Sequence, residues 1–385
     1  MPEYKSNIHS KLPTINTSIF TVMSALAQEY GAINLSQGFP GFDCSLRLKE
    51  LVKKYIDNGA NQYAPMPGVM QLREAIASKT ESLYSCRYDP ETEITITAGA
   101  TQAIYTAVTA LVQEGDEVVL IEPAYDSYAP AVELAGGKPV FFQLSQEKFQ
   151  INWTEFQKLI NQRTRMIIIN TPHNPTGACL NAADMQKLEK ITKNTDIIIL
   201  SDEVYEHITF DGYEHQSVCR FPGLADRSIV VNSFGKTYHT TGWKVGYCLA
   251  PKAIMKEFRK VHQFTVFSVN TPIQYAYAEF LNEPEHYLSL SAFYQEKRDF
   301  FVKLFKGSAF SFEPAQGSYF QLMNYSKISN EKDVDFAKKL TIEHKVASIP
   351  ISVFYHKKVD SRLLRFCFAK HNDELEKAAE KLLRL

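Results

Sequence analysis

The chain has 385 residues, 45% hydrophobic and 22% charged, which excludes disorder as the dominant state and leaves room for two domains, or for one large and one small. Its 42 basic and 43 acidic side chains give a net charge of −1, so the basic footprint of a nucleic-acid-binding protein is missing. No apolar run approaches the roughly 20 residues that cross a bilayer, and the stretch MPEYKSNIHSKLP has no apolar core of a secretion signal; a cytoplasmic protein without membrane attachment is expected.

From about residue 45 to 280, short apolar runs alternate with segments of helical period. The runs are ITITAG (94–99), EVVLIEPAY (117–125), PVFFQL (139–144), RMIIIN (165–170), DIIILSDEVY (196–205), SIVVNSF (228–234) and VGYCLA (245–250). They are continuous rather than alternating, the pattern of strands buried on both faces. Helical stretches such as TQAIYTAVTALVQEG and NAADMQKLEKITKNT separate several of them. An α/β fold with a mostly parallel, covered sheet follows. Beyond about residue 283 the texture changes. The charged helical stretch FYQEKRDFFVKLFK leads to isolated strand candidates GSYFQLM, VASIPISVF and LLRFCFA, and DELEKAAEKLLRL closes the chain as a helix. A large domain over 43–283 and a smaller α+β domain from 284–385 are expected, with 1–42 packing on the smaller one because INLSQGFPGFD is too rich in turns to begin the main sheet.

Six cysteines (44, 86, 179, 219, 248 and 367) form no C-x-x-C pair and read as reduced thiols. The ten histidines contain no H-E-x-x-H, so no metal site is expected. His173 and His239 read as structural.

In a parallel α/β sheet, ligands gather outside the carboxyl ends of the strands. The polar groups that follow each run are therefore informative. ITIT is followed by Gly99, Ala100 and Thr101 opening a helix, VVLIEP by Tyr125, MIIIN by TPHNPTG with Asn174, and IIIL by Ser201, Asp202 and Tyr205. IVVN is followed by Ser233 and Lys236, with Lys244 soon after. Gly235-Lys236-Thr237 ends like a phosphate-binding P-loop, but Val230 stands where that motif needs its first glycine. A lysine that bonds covalently to a ligand remains. An anion seat, an aromatic ring, an amide, a carboxylate, a phenol and a lysine converge on one sheet edge.

These stretches resemble the fold-type I pyridoxal-phosphate aminotransferases. NTPHNPTG, SDEVYEH, SFGKTYHTTGWKVGY and RFCFAK are similar to the kynurenine aminotransferase branch; SALAQ, INLSQGFPGFD and GANQYAPMPGV are similar to bacterial methionine aminotransferases. The resemblance covers nearly the whole chain. It implies a seven-stranded large domain, a homodimer and pyridoxal 5'-phosphate as cofactor. Lys236 would bond to the cofactor's aldehyde, which an amine attacks only when neutral, so burial and nearby cations that lower its pKa would favour it. Asp202 would keep the pyridine nitrogen protonated, Tyr205 and Asn174 would hydrogen-bond the phenolic oxygen, and Tyr125 would stack on the ring. The phosphate would sit on the N–H groups of Ala100 and Thr101 at a helix start, with Ser233 and Lys244, and with Tyr63 from the second subunit. Many members carry arginine where this chain has Lys244, which supplies the charge without the fork. Arg365 suits a substrate carboxylate, Gly38 would let the backbone approach the same group, and Phe20 and Phe267 fall where the family places aromatic contacts.

Each residue alone has an ordinary explanation as a surface charge, a cap, a turn former or a core ring. It is their order after successive strands that points to one cofactor. The implied activity moves the amino group of methionine or of an aromatic donor (phenylalanine, tyrosine, histidine or kynurenine) to a 2-oxo acid by a ping-pong route. A cysteine-conjugate C–S β-lyase needs the same lysine, and a non-catalytic cofactor-binding regulator needs the same fold. A nicotinamide dehydrogenase is disfavoured because no G-x-G-x-x-G follows the first strand.

Overall fold

The computed structural model describes residue 2 and residues 7–385; residues 1 and 3–6 of the expected N-terminal segment lie outside the described residues. Its strands in chain order are β1 (Ile33–Asn34), β2 (Ile94–Thr97), β3 (Glu117–Glu122), β4 (Lys138–Gln143), β5 (Thr164–Asn170), β6 (Ile198–Asp202), β7 (Ser228–Ser233), β8 (Gly246–Leu249), β9 (Phe320–Asn324), β10 (Val346–Ala347), β11 (Ile349–Pro350) and β12 (Leu363–Cys367). Seven of them form one sheet in the order β2-β8-β7-β6-β5-β3-β4. All run parallel except β8, which is antiparallel to both its neighbours.

The apolar runs are continuous because each face of this sheet is covered. Ile167, Ile169, Ile199 and Val230 join one buried cluster, while their chain neighbours Met166, Ile168, Leu200 and Val231 join another. Successive side chains point to opposite faces, so the central positions of such a strand are all apolar. The helix Ala100–Leu111 covers the second face with Ala103, Ile104, Ala107, Val108 and Leu111. All six cysteines are free thiols, and among the described residues no helix is long and apolar enough to cross a membrane.

The later strands form an antiparallel sheet in the order β11-β12-β9. GSYFQLM begins its strand only at Phe320, since Ser318 has a positive φ of 62° that interrupts the extended chain. VASIPISVF is not one strand. It divides into β10, which pairs in parallel with β1, and β11, which pairs with β12, before a short turn of helix over Ser352–Phe354. The β1–β10 pairing joins Ile33 and Asn34 to Val346 and Ala347.

Candidate active site

The parallel strands end at one edge of the large sheet, and the antiparallel β8 begins there. Lys244 therefore reaches the same edge from the opposite chain direction. A cavity of about 190 Å³ opens at this edge, lined by Ala100, Thr101, Tyr125, Asn174, Asp202, Tyr205, Ser233, Lys236 and Lys244 among the expected residues. Gly99 completes the helix start in the lining, which also includes Tyr128, Asn170, Val204 and Thr241, residues that the sequence alone does not single out.

At one end lies the start of the helix Ala100–Leu111. Its N-cap is Gly99, with φ 80°, which has no side chain to cap the first N–H groups. Those donors point outward uncapped, beside the Ser233 hydroxyl and the Lys244 ammonium, and that set suits an anion. Lys244 itself has a left-handed φ of 55°.

At the other end Asp202 is 5% exposed. Its Oδ2 accepts from the Tyr128 hydroxyl at 2.5 Å and its Oδ1 from the Val204 N–H at 3.3 Å. Burial pushes its carboxyl up to about 6, against the pull of the Tyr128 hydrogen bond. Asn170 connects this end to the next loop: its amide donates to the Asp202 carbonyl at 2.8 Å, and its Oδ1 accepts from the Asn174 N–H at 2.7 Å.

Lys236 stands between the two ends, half-buried on the one-turn helix Phe234–Thr237 that follows β7. Its Nζ donates to the Gly38 carbonyl at 2.8 Å and to the Tyr319 hydroxyl at 2.9 Å, and Tyr319 itself donates to Gly38 at 2.6 Å. Burial pulls the amine down to about 8, with the cations Arg365 and Lys244 adding to the effect. Burial also raises the Tyr205 phenol, whose ring lies edge-on to Tyr319 at 5.1 Å.

Arg365 projects from β12 and is 1% exposed. One Nη donates to Asn174 Oδ1 at 2.7 Å and the other to the Ser36 carbonyl at 2.9 Å, while Nε has no partner among the described residues. The guanidinium lies 3.8 Å from the centroid of the Phe320 ring and 5.2 Å from that of Phe20. A buried cation with a free donor, bordered by aromatic rings, suits a carboxylate attached to an apolar group.

Two expected residues lie elsewhere. Tyr63 is 81% exposed, and its ring meets Phe267 edge-on at 5.2 Å; neither lines the cavity of its own chain. His173 bonds Thr176 at 2.7 Å and His239 packs among Phe42, Phe293 and Tyr294, both lowered to about 4 by burial, as befits structural rings.

The model for "Aminotransferase class I and II" matches residues 30–382. The chain is 52% identical over 377 residues to methionine aminotransferase of Escherichia coli K12, covering 98% of each chain. It is 34% identical over 408 residues to kynurenine–oxoglutarate transaminase of Dictyostelium discoideum, covering 96% of this chain and 94% of that one. Its fold matches the crystal structure of YbdL from Escherichia coli, for which a methionine aminotransferase function was identified, with a TM-score of 0.97, 51% identity, and 99% and 100% of the two chains covered. A buried acid, a half-buried amine and an uncapped helix start on a fold-type I scaffold, together with these matches, place the chain in the aminotransferase class I and II family of pyridoxal-phosphate-dependent transaminases.

Proposed function

We propose that the enzyme transfers the amino group of methionine, or of an aromatic donor such as phenylalanine, tyrosine, histidine or kynurenine, to a 2-oxo acid. The observation that carries the substrate class is the surroundings of Arg365, where Phe20, Phe320 and Phe354 border the guanidinium. A substrate held there by its carboxylate meets apolar rings with its side chain.

The donor set fits pyridoxal phosphate. Ala100, Thr101, Ser233 and Lys244 would hold its phosphate, Asp202 its protonated ring nitrogen, Tyr205 and Asn174 its phenolic oxygen, and Tyr125 its ring face. When bound, the cofactor supplies an electron sink for the charge left as a substrate Cα–H bond breaks. Arg365, Asn174 and the Gly38 backbone bind and orient the substrate's carboxylate, and Phe20 flanks it. Lys236 would hold the cofactor through its aldehyde, and its free amine would take the proton from the substrate's Cα as general base. The Gly38 carbonyl and Tyr319 hydroxyl already hold this amine, so it has a defined place to stand when free. Asp202 would keep a proton on the ring nitrogen.

Tyr63 and Phe267 are exposed and touch each other away from their own chain's cavity, which supports a homodimer in which each subunit lends this pair to the other's site. The division into a large unit over 43–283 and a small one from 1–42 and 284–385, and a cytoplasmic location, belong to the same proposal.

Absorbance titration of the cofactor-loaded enzyme with single amino acids tests the substrate class. Methionine and aromatic amino acids should convert the cofactor band. Conversion by aspartate or glutamate alone would overturn the assignment, and ammonia release without a 2-oxo acid acceptor would favour the β-lyase.

A further inference from the structure

The last residue of β3 makes a contact that the chemistry above does not use. Glu122 is 3% exposed, and among the described residues its one ionic partner is His356, from the turn that follows β11. The His356 N–H donates to Oε1 at 2.5 Å, and His356 Nδ1 lies 3.0 Å from Oε2. The imidazole is also stacked on Phe141 of β4, with centroids 4.1 Å apart and planes 8° apart. Two residues earlier, the Phe354 carbonyl accepts from the Ala124 N–H at 2.9 Å. Residues 354–356 are thus fastened at two main-chain points to residues 122–124, and Tyr125 comes next in the chain.

What this fastening holds in place matters for the substrate. The Phe354 ring lies 5.7 Å from the Arg365 guanidinium carbon and 6.0 Å from the Phe20 ring. From its other side the turn is held by Asp333, which accepts from the Ser352 N–H at 2.7 Å and the Ser352 hydroxyl at 2.6 Å. Aromatic walls help a guanidinium only while their position is fixed, because each freed side chain must be ordered again on binding. The Asp333 contacts hold the turn only to the start of the helix Asp333–Ile342. The Glu122 contacts, together with the Ala124–Phe354 main-chain bond, register Phe354 against the large sheet and Tyr125.

We propose that Glu122 and His356 form a latch that positions Phe354 beside Arg365 and thereby sets the affinity for the substrate's carboxylate end. Neither residue touches the reacting atoms; both are positioning residues. The proposal rests on the assignment of Arg365 to the substrate carboxylate. Half of the latch is accessible, since the His356 side chain is 38% exposed, so it can be removed without opening the core.

The test uses cofactor-loaded enzyme and 3-phenylpropionate, a carboxylate without an amino group. His356→Ala should weaken its binding in calorimetry, and raise KM for methionine, by about tenfold, the loss expected for one hydrogen bond to a charged group, with kcat within about twofold. Amide hydrogen exchange over residues 352–356 and at Ala124 should quicken. His356→Asn, which can place an amide donor near Nδ1, should recover most of the affinity. Unchanged affinity and KM in His356→Ala would overturn the latch, as would a joint fall in kcat and cofactor affinity, which marks a general distortion. Arg365→Gln is the control: if it binds 3-phenylpropionate like the parent enzyme, the carboxylate site itself fails and the latch falls with it. If Arg365→Gln loses affinity and His356→Ala does not, only the latch fails.

Discussion

Replacing Asp202 by asparagine should stabilise the cofactor-free protein while weakening its hold on the cofactor. Asp202 is buried, and its carboxyl is raised from 3.8 to about 6 because burial opposes ionisation. A raised acid binds more protons folded than unfolded between those two values, so its contribution to stability falls as pH rises through that window and stays low above it. A shift of about two units at 1.36 kcal/mol each makes the ionised carboxylate cost about 3 kcal/mol at pH 8, and roughly half that at pH 5. Asparagine keeps an oxygen for the Tyr128 hydroxyl and carries no charge, so Asp202→Asn removes most of that cost. Urea unfolding of both cofactor-free proteins at pH 5 and pH 8 measures it. The variant should gain stability at both pH values, more at pH 8. In the loaded enzyme the order reverses, because the ring nitrogen loses its ionic partner. A variant less stable than the parent at pH 8, or an advantage that does not change with pH, would refute the account of Asp202 as a carboxylate held charged against burial.

Three further outcomes are expected. The rate at which Lys236 captures pyridoxal phosphate should climb with pH and level off above about 8, since the amine is reactive only when neutral and is lowered to that value; stopped-flow absorbance follows it, and Lys236→Ala should fold but neither capture the aldehyde nor turn over. Gly38→Ala should raise KM and lower stability by about 1–3 kcal/mol as an overpacked site, because the added Cβ would lie 2.8 Å from Phe320 Cζ, in the ring beneath Arg365. Mixing Lys236→Ala with Tyr63→Ala subunits should restore activity above that of either parent, since a hybrid dimer holds one site with both residues intact; no gain on reassociation would remove Tyr63 from the partner's site.

Most of the large sheet was legible because burial on both faces writes itself as uninterrupted runs such as MIII and IIIL. The residues at the strand ends were legible for the same reason: once a run is recognised, the next polar side chain has a known place. What escaped were contacts between residues distant in the chain. Tyr128 reaches Asp202 across 74 positions and Lys236 reaches Tyr319 across 83, and no periodicity announces such a bond. Asn170 ends the run RMIIIN, yet its pairing with Asp202 and Asn174 depends on strand order. That order was hidden too. The insertion of β8 between β2 and β7 follows from how late segments return to the sheet, not from any local propensity. The one local clue missed was the spacing of Tyr125 and Tyr128, which turns two rings toward the same edge.

The polarity of the cavity also decides which way round its ligand lies. An uncapped helix start with Lys244 occupies one end and a buried carboxylate the other, so a molecule anionic at one end and cationic at the other is favoured in a single direction. Reversed, its phosphate would face Asp202 in a site where burial has already made negative charge costly enough to lift that carboxyl to about 6. The same burial lowers the Lys236 amine to about 8, so one physical cause moves the acid and the base toward neutrality. Only a cation at the carboxylate end relieves the cost there, and of the ligand's two ends only the protonated ring nitrogen supplies it. The direction that satisfies Asp202 would therefore be the one in which Ala100 and Thr101 hold the phosphate through their free N–H groups and Lys236 meets the aldehyde.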